Sequence, residues 1–186
     1  MPMPSAKRSQ IAVRPAKSDD IRVLSEFDHS YSTDYVWQME VREDQGRTIQ
    51  VNFRQARLPR SVRVMYPREA ETLVEVWTHR RLFIVAEVES QLRGFLSVME
   101  GTMTDTGWVA EFAVERKVRR QGIGAALIAS AVDWARKVGL RRLLVEVQSK
   151  NYPAICFCQK HGFAFCGYSD LYFANQDIAL FFGMSL

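Results

Sequence analysis

The chain has 186 residues and a formal charge of +4, about one domain's worth of sequence. Apolar residues make up 47% and charged residues 25%, an ordinary globular mix that excludes a collagen-like, disordered or disulfide-scaffold chain. No apolar run reaches the ~18 residues of a membrane helix, and the basic residues Lys7 and Arg8 are not followed by the apolar core of a secretory signal. Residues 1–10 therefore read as a flexible tail, and residues 11–186 as one domain.

In chain order, residues 11–16 predict a strand. Ser18 can cap a helix from 19 to 27, with Asp19 and Asp20 in the first turn, where the helix dipole favours anions. Residues 35–42 and 48–57 are β-rich and flank a Glu43-Asp44-Gln45-Gly46 turn, a hairpin signal. Pro59 and Pro67 bracket another extended piece, 62–66, and 69–79 has helical spacing through Leu73, Val74 and Trp77. Strands are expected at 82–88, 92–100 and 108–115. Ile123, Leu127, Ile128, Ala131, Trp134 and Val138 form one face of a long helix that ends at Gly139. Residues 143–147 read as a buried strand, 153–161 as a short helix closed by Gly162, and 163–173 and 178–182 as two closing strands.

The positive charge is unevenly placed. Seven arginines lie between Arg42 and Arg68, and four bases accompany one acid between Glu115 and Arg120, while the remainder of the chain is net acidic. The three cysteines, Cys156, Cys158 and Cys166, are too few and too close for a secreted framework. Zinc would need a fourth ligand and wider spacing, so no metal is expected. Reduced thiols point to a cytoplasmic protein.

The sharpest motif is the stretch from Val114 to Gly124. A strand runs into a basic loop carrying Gly122 and Gly124, which opens the long helix. Unsatisfied N–H groups at a helix start, together with Arg119 and Arg120, suit a pyrophosphate. A Walker loop would need Gly-Lys-Ser/Thr, and a dinucleotide fingerprint would need a third glycine where Leu127 stands.

Arg119-Arg120-Gln121-Gly122-Ile123-Gly124 resembles the Gln/Arg-x-x-Gly-x-Gly/Ala signature of the GNAT acyl-CoA N-acyltransferases. Two further segments fall in the family's order: Leu144-Val145-Glu146-Val147, and Asn151-x-x-Ala154-x-x-Phe157-Cys158-x-Lys160-x-Gly162-Phe163. The resemblance covers roughly residues 11–186, is weakest over 30–68, and within the family is loosely nearest the streptothricin-type and ribosomal-protein N-acetyltransferases. It implies an α/β (α+β) fold: a central mixed, mostly antiparallel twisted sheet with flanking helices, splayed in a V between the fourth and fifth strands. An arginine-rich hairpin at about 35–68 is then an insert.

The resemblance also implies acetyl-CoA as co-substrate. Its pyrophosphate would lie on Arg119, Arg120, Gln121, Gly122, Ile123, Gly124 and Ala125, and its pantetheine arm would pair with Phe112, Ala113 and Val114, with Asn151 helping to hold it. Transfer would be by direct attack of an amine. That needs a base, for which Glu146 and Glu111 are the candidates, and a proton donor for the departing thiolate. The family's tyrosine position is occupied by Cys158; Tyr152, Tyr168, Tyr172 or water could take over its role.

The expected activity is N-acetylation of a small, antibiotic-like or polyamine-like amine, and Asp170 and Asp177 are candidates for attracting it. A protein N-terminal or lysine acetyltransferase is the alternative. A non-catalytic CoA-binding module, or a nucleic-acid-binding or partner-binding module using the Arg42–Arg68 insert, is the rival of another class, although nucleic acid and membrane are not expected partners. The insert could instead build a homodimer.

Overall fold

A computed structural model describes residues 10–65, 72–101, 103 and 105–186. Most of the expected tail, Pro67, and the first part of the helix expected from Glu69 lie outside the described residues. The chain folds as two compact units, one built from residues 1–29, 69–143 and 186, the other from 30–68 and 144–185.

In the first unit, strands β1 (Ile11–Pro15), β4 (Leu82–Val88), β5 (Gln91–Glu100) and β6 (Thr106–Val114) lie side by side in that order. Every neighbour is antiparallel. Helix α1 (Ser18–Ser25), the short α2 (Thr72–Val76) and α3 (Ile123–Lys137) cover the sheet. The core is Ile21, Leu24, Leu73, Phe83, Val85 and Phe95. Phe83 and Phe95 stack with ring centroids 5.7 Å apart.

The start of α1 differs from expectation. Lys17, not Ser18, is the capping position. The reason is Asp20: its carboxylate accepts the Lys17 N–H at 2.7 Å and the Arg14 guanidinium at 2.7 and 3.0 Å. The bond from Arg14, more than any other contact, holds the Asp20 carboxyl below its ordinary value. A lowered folded-state value adds stability in full above the unfolded value of ~3.9 and loses it as pH falls through the folded one. We expect Asp20→Asn to flatten the dependence of melting temperature on pH below about pH 4.

Helix α3 buries Ile123, Leu127, Ile128, Ala131 and Ala135. Trp134 instead carries the Arg81 guanidinium 5.9 Å above its ring, and Val138, expected in the apolar face, is the C-cap and is exposed. Gly139 follows at φ +79°, the left-handed end anticipated there.

In the second unit, β7 (Arg142–Gln148), β9 (Ala179–Ser185) and β8 (Ala164–Ser169) are neighbours in that order, with α4 (Tyr152–Lys160) following β7. The single strand expected over 163–173 ends at Ser169, where Asp170 folds its carboxylate onto the Leu171 N–H and turns the chain. The hairpin is longer than expected: β2 (Tyr31–Asp44) pairs with β3 (Thr48–Val64). Pro59 does not interrupt it, because the register shifts there. Thr33 faces Val62 and Tyr35 faces Arg57, so Pro59 sits in a bulge where no ladder N–H is needed. The middle of the hairpin rests on aromatic packing: Trp37 against Phe182 at 6.4 Å, and Phe53 against Phe165 at 5.5 Å.

Candidate functional site

The first unit carries the anion cradle. Phe112, Ala113 and Val114 end β6 opposite Leu96, Phe95 and Gly94 of β5. A Cβ on Gly94 would come within 2.9 Å of the Ala113 carbonyl and 3.2 Å of Ile123 and Leu127, so glycine lets the start of α3 settle on the sheet. After β6 the chain makes a short 3-10 turn, Arg116–Val118, then Arg120 and Gly122 both take positive φ, +68° and +92°. Gly122 is the N-cap of α3 and, as glycine, brings no side-chain cap. The amides opening α3 at Ile123, Gly124 and Ala125 precede the first intrahelical bond, which runs from Ala126 to Gly122 at 3.0 Å. Arg120, Gln121 and Gly122 are exposed. Amides outside the helix's own bonding, the positive helix end and an adjoining exposed arginine fit a pyrophosphate.

The four bases of this loop divide their work. Arg119 turns inward: Nε donates to the Val114 carbonyl at 2.9 Å and Nη2 to the Asp28 carbonyl at 3.1 Å. Burial pushes its guanidinium below its ordinary value. Arg116 lies 3.6 Å from the Asp28 carboxylate. Lys117 and Arg120 face solvent. Arg119, expected on the phosphate, thus braces the loop through two carbonyls, and Arg120 is the neighbouring guanidinium that faces solvent.

Glu111, the earlier of the two carboxylates, is held fast. Arg80 clasps both oxygens, at 2.9 and 2.5 Å, and Ser97 donates a further hydrogen bond. Both side chains of the pair are largely enclosed, at 13% and 17% exposure. A register shift at Ser97/Val98 re-aims β6 just before Glu111. A two-pronged guanidinium contact, with Ser97 on the same carboxylate, ties Glu111 to β5 and to the turn before β4 as a structural partner.

The second unit carries the other candidates. Glu146, half-buried on β7, accepts the Tyr172 hydroxyl at 2.6 Å. Asn151 caps α4, its Oδ1 accepting the Ala154 N–H at 3.2 Å. Cys158 does not fit the donor role expected of it. Its side chain is enclosed inside α4, and burial pushes the thiol up to about 12. That removes the acidity advantage of a thiol over a phenol, whose reference value is ~10.

Asp177 is likewise not the open acid expected for an amine. It is buried and takes bonds from Gln148 at 2.8 Å, from Asn175 at 3.0 Å, and from Lys150. Gln148 in turn accepts the Tyr31 hydroxyl at 2.9 Å. Sequence reasoning missed Tyr31 and Gln148. The available signal was Gln148 itself, an amide at the end of a strand whose alternate residues, Leu143, Val145 and Val147, are apolar. The other acid, Asp170, is spent on its own turn.

Beside this network is a cavity of about 450 Å³. Val36, Leu58 and Val62 of the hairpin are among its apolar wall residues, and Lys150, Asn175 and Asp177 give it a polar edge. The size is that of a small-molecule pocket. Among the described residues, no group of His, Cys, Asp and Glu could hold a metal ion, and no helix is long and apolar enough to cross a membrane.

Comparison with known proteins converges on one family. The sequence model of the acetyltransferase (GNAT) family matches residues 49–163. Streptothricin acetyltransferase of Streptomyces lavendulae is 34% identical over 87 residues, 47% of this chain and 46% of that protein. The match thus spans less than half the relative's length. Nourseothricin acetyltransferase superposes with a TM-score of 0.79 at 23% identity, over 94% of this chain and 98% of the other. A Bacillus anthracis str. Ames protein solved in complex with acetyl coenzyme A superposes with a TM-score of 0.77 at 19% identity, over 95% of this chain and 99% of the other. At these identities the two structures establish the fold, with its mostly antiparallel sheet and flanking helices.

Proposed function

The chain belongs to the acetyltransferase (GNAT) family, and from that premise we propose that it transfers the acetyl group of acetyl-CoA directly to a primary amine of a small, antibiotic-like molecule. The observation that carries the reading is the loop before α3. It combines the first amides of α3, two residues at positive φ and an exposed Arg120, a cradle that suits the pyrophosphate of acetyl-CoA. Bound there, acetyl-CoA supplies the activated acyl thioester.

The chain's own residues divide the remaining tasks. The loop amides and Arg120 hold the pyrophosphate, and Arg119 braces the loop through the Val114 and Asp28 carbonyls. Phe112, Ala113 and Val114 offer backbone groups to the pantetheine arm, and the Asn151 amide assists. Glu146 takes the proton of the attacking amine, and Glu111 stays with Arg80 as a charged support for β6.

A small acceptor is favoured by the likeness to a streptothricin acetyltransferase. The alternative, a peptide amine, would need an extended groove. The test is a thiol-release screen with acetyl-CoA against streptothricin, aminoglycosides, polyamines, amino acids and peptides. Acetyl-CoA-dependent release with a small amine supports the reading; release with peptides alone replaces the small acceptor by a protein one. No release with any amine contradicts the activity.

A further inference from the structure

The hairpin of the second unit borders a hollow that acetyl transfer leaves without a task. We infer that this cavity of about 450 Å³ is a binding site for a small carboxylate with an apolar body. The inference stands apart from the acetyltransferase reading, because it uses residues of the second unit alone.

The hollow has a cause in the chain. Between the pairs Thr33–Val62 and Tyr35–Arg57, β2 contributes only Asp34, whereas β3 contributes Leu58, Pro59, Arg60 and Ser61. The longer strand bows away from the shorter one. Val36 on β2 and Leu58 and Val62 on β3 line the space. Thr33 lines it too, but its hydroxyl already donates to the Tyr35 carbonyl at 2.5 Å. The wall is therefore apolar in effect, and bulges of this kind recur beside binding sites.

The polar edge is net positive. Asp177 lies on it, yet both carboxylate oxygens are engaged. Oδ2 accepts Gln148 at 2.8 Å and Asn175 at 3.0 Å, and Oδ1 accepts Lys150. The Asn175 carbonyl is turned back to the Asp177 N–H at 3.2 Å. Lys150 differs. An ammonium carries three N–H groups; among the described residues Asp177 takes one of them, and the lysine side chain is 48% exposed. Arg63 brings a second positive charge to the lining, with its Nε on the Ser30 hydroxyl at 2.9 Å.

That balance selects the ligand. A carboxylate gains a charge-assisted bond from Lys150 while its apolar body rests on Val36, Leu58 and Val62. An ammonium meets two like charges beside an acid whose oxygens are already taken. The occupant is thus opposite in charge to the amine that accepts the acetyl group. The edge is also set before any ligand arrives. Asp177 holds Lys150, and Gln148 ties Asp177 to the Tyr31 hydroxyl at 2.9 Å.

The test titrates the protein, labelled at its Val and Leu methyl groups, with sodium benzoate, benzyl alcohol and benzylammonium chloride at constant ionic strength. Benzoate is expected to shift the Val36, Leu58 and Val62 methyl NMR signals saturably, with a Kd on the order of millimolar. It should bind roughly tenfold more tightly than benzylammonium. Lys150→Met should weaken benzoate about tenfold and leave benzyl alcohol unchanged, whereas Lys150→Arg should keep benzoate within about threefold of wild type. Leu58→Trp fills the hollow and should abolish the benzoate shifts at Val36 and Val62. Benzylammonium bound as tightly as benzoate, or benzoate affinity unchanged in Lys150→Met, overturns the carboxylate assignment. No saturable shift at these methyls with tens of millimolar benzoate, or shifts that survive Leu58→Trp, overturns the site itself.

Discussion

Replacing Gly124 with glutamate should abolish the rise in melting temperature that acetyl-CoA gives the wild-type protein. A ligand that binds only the folded state at 100 times its Kd stabilises by about 2.7 kcal/mol. For a chain of this size that is a shift of roughly 5–10 °C. Gly124 is the second residue of α3, among the amides that open the helix. A carboxylate there fills the cradle with bulk and with the wrong sign for a pyrophosphate. The same substitution suits the fold, because glutamate forms helix better than glycine and acids are favoured in a first turn. The variant should therefore melt no lower than wild type without ligand, yet gain nothing from acetyl-CoA. Differential scanning fluorimetry reads both at once. A full shift in the variant would move the pyrophosphate away from this loop.

The second large effect is on stability. Asp177→Ala removes the acceptor shared by Gln148, Asn175 and Lys150, and Gln148 is only 2% exposed. A buried amide left without a partner, with the loss of a charge-assisted bond, costs about 3 kcal/mol. At about 2–4 °C per kcal/mol the melting temperature falls by roughly 6–12 °C. Lys150→Met should cost much less, because the lysine side chain is 48% exposed and its ion pair is screened by water. Thermal melts of the two variants side by side check the ordering. An Asp177→Ala loss no greater than that of Lys150→Met would show that the network does not anchor the second unit.

Local signals were read well and distant ones poorly. The loop and helix after β6 were legible because glycine spacing and apolar periodicity are properties of adjacent residues, and β4 matched its expected span of Leu82–Val88. The hairpin was underestimated because Pro59 reads locally as a stop; the bulge that admits it depends on how β2 and β3 pair. The extra length of β2 had no comparable local marker.

The site divides in the same way. The motif residues Asn151 and Glu146 could be named from sequence, but not what they touch. That Arg119 would turn to the Asp28 carbonyl, 91 residues away in sequence, or that Arg80 would clasp Glu111, is decided by tertiary packing. Cys158 follows the same rule: a free thiol is more acidic than a phenol, and burial, set by tertiary packing, reverses that advantage.

The central claim is direct acetyl transfer to an amine. Its most direct measurement is mass spectrometry of both acceptor and protein after incubation with acetyl-CoA and streptothricin. The account predicts an acceptor heavier by one acetyl group, formed only with acetyl-CoA and sharply reduced in Glu146→Gln, beside a protein of unchanged mass. An acetylated protein formed as an intermediate, or product formation undiminished in Glu146→Gln, would contradict it.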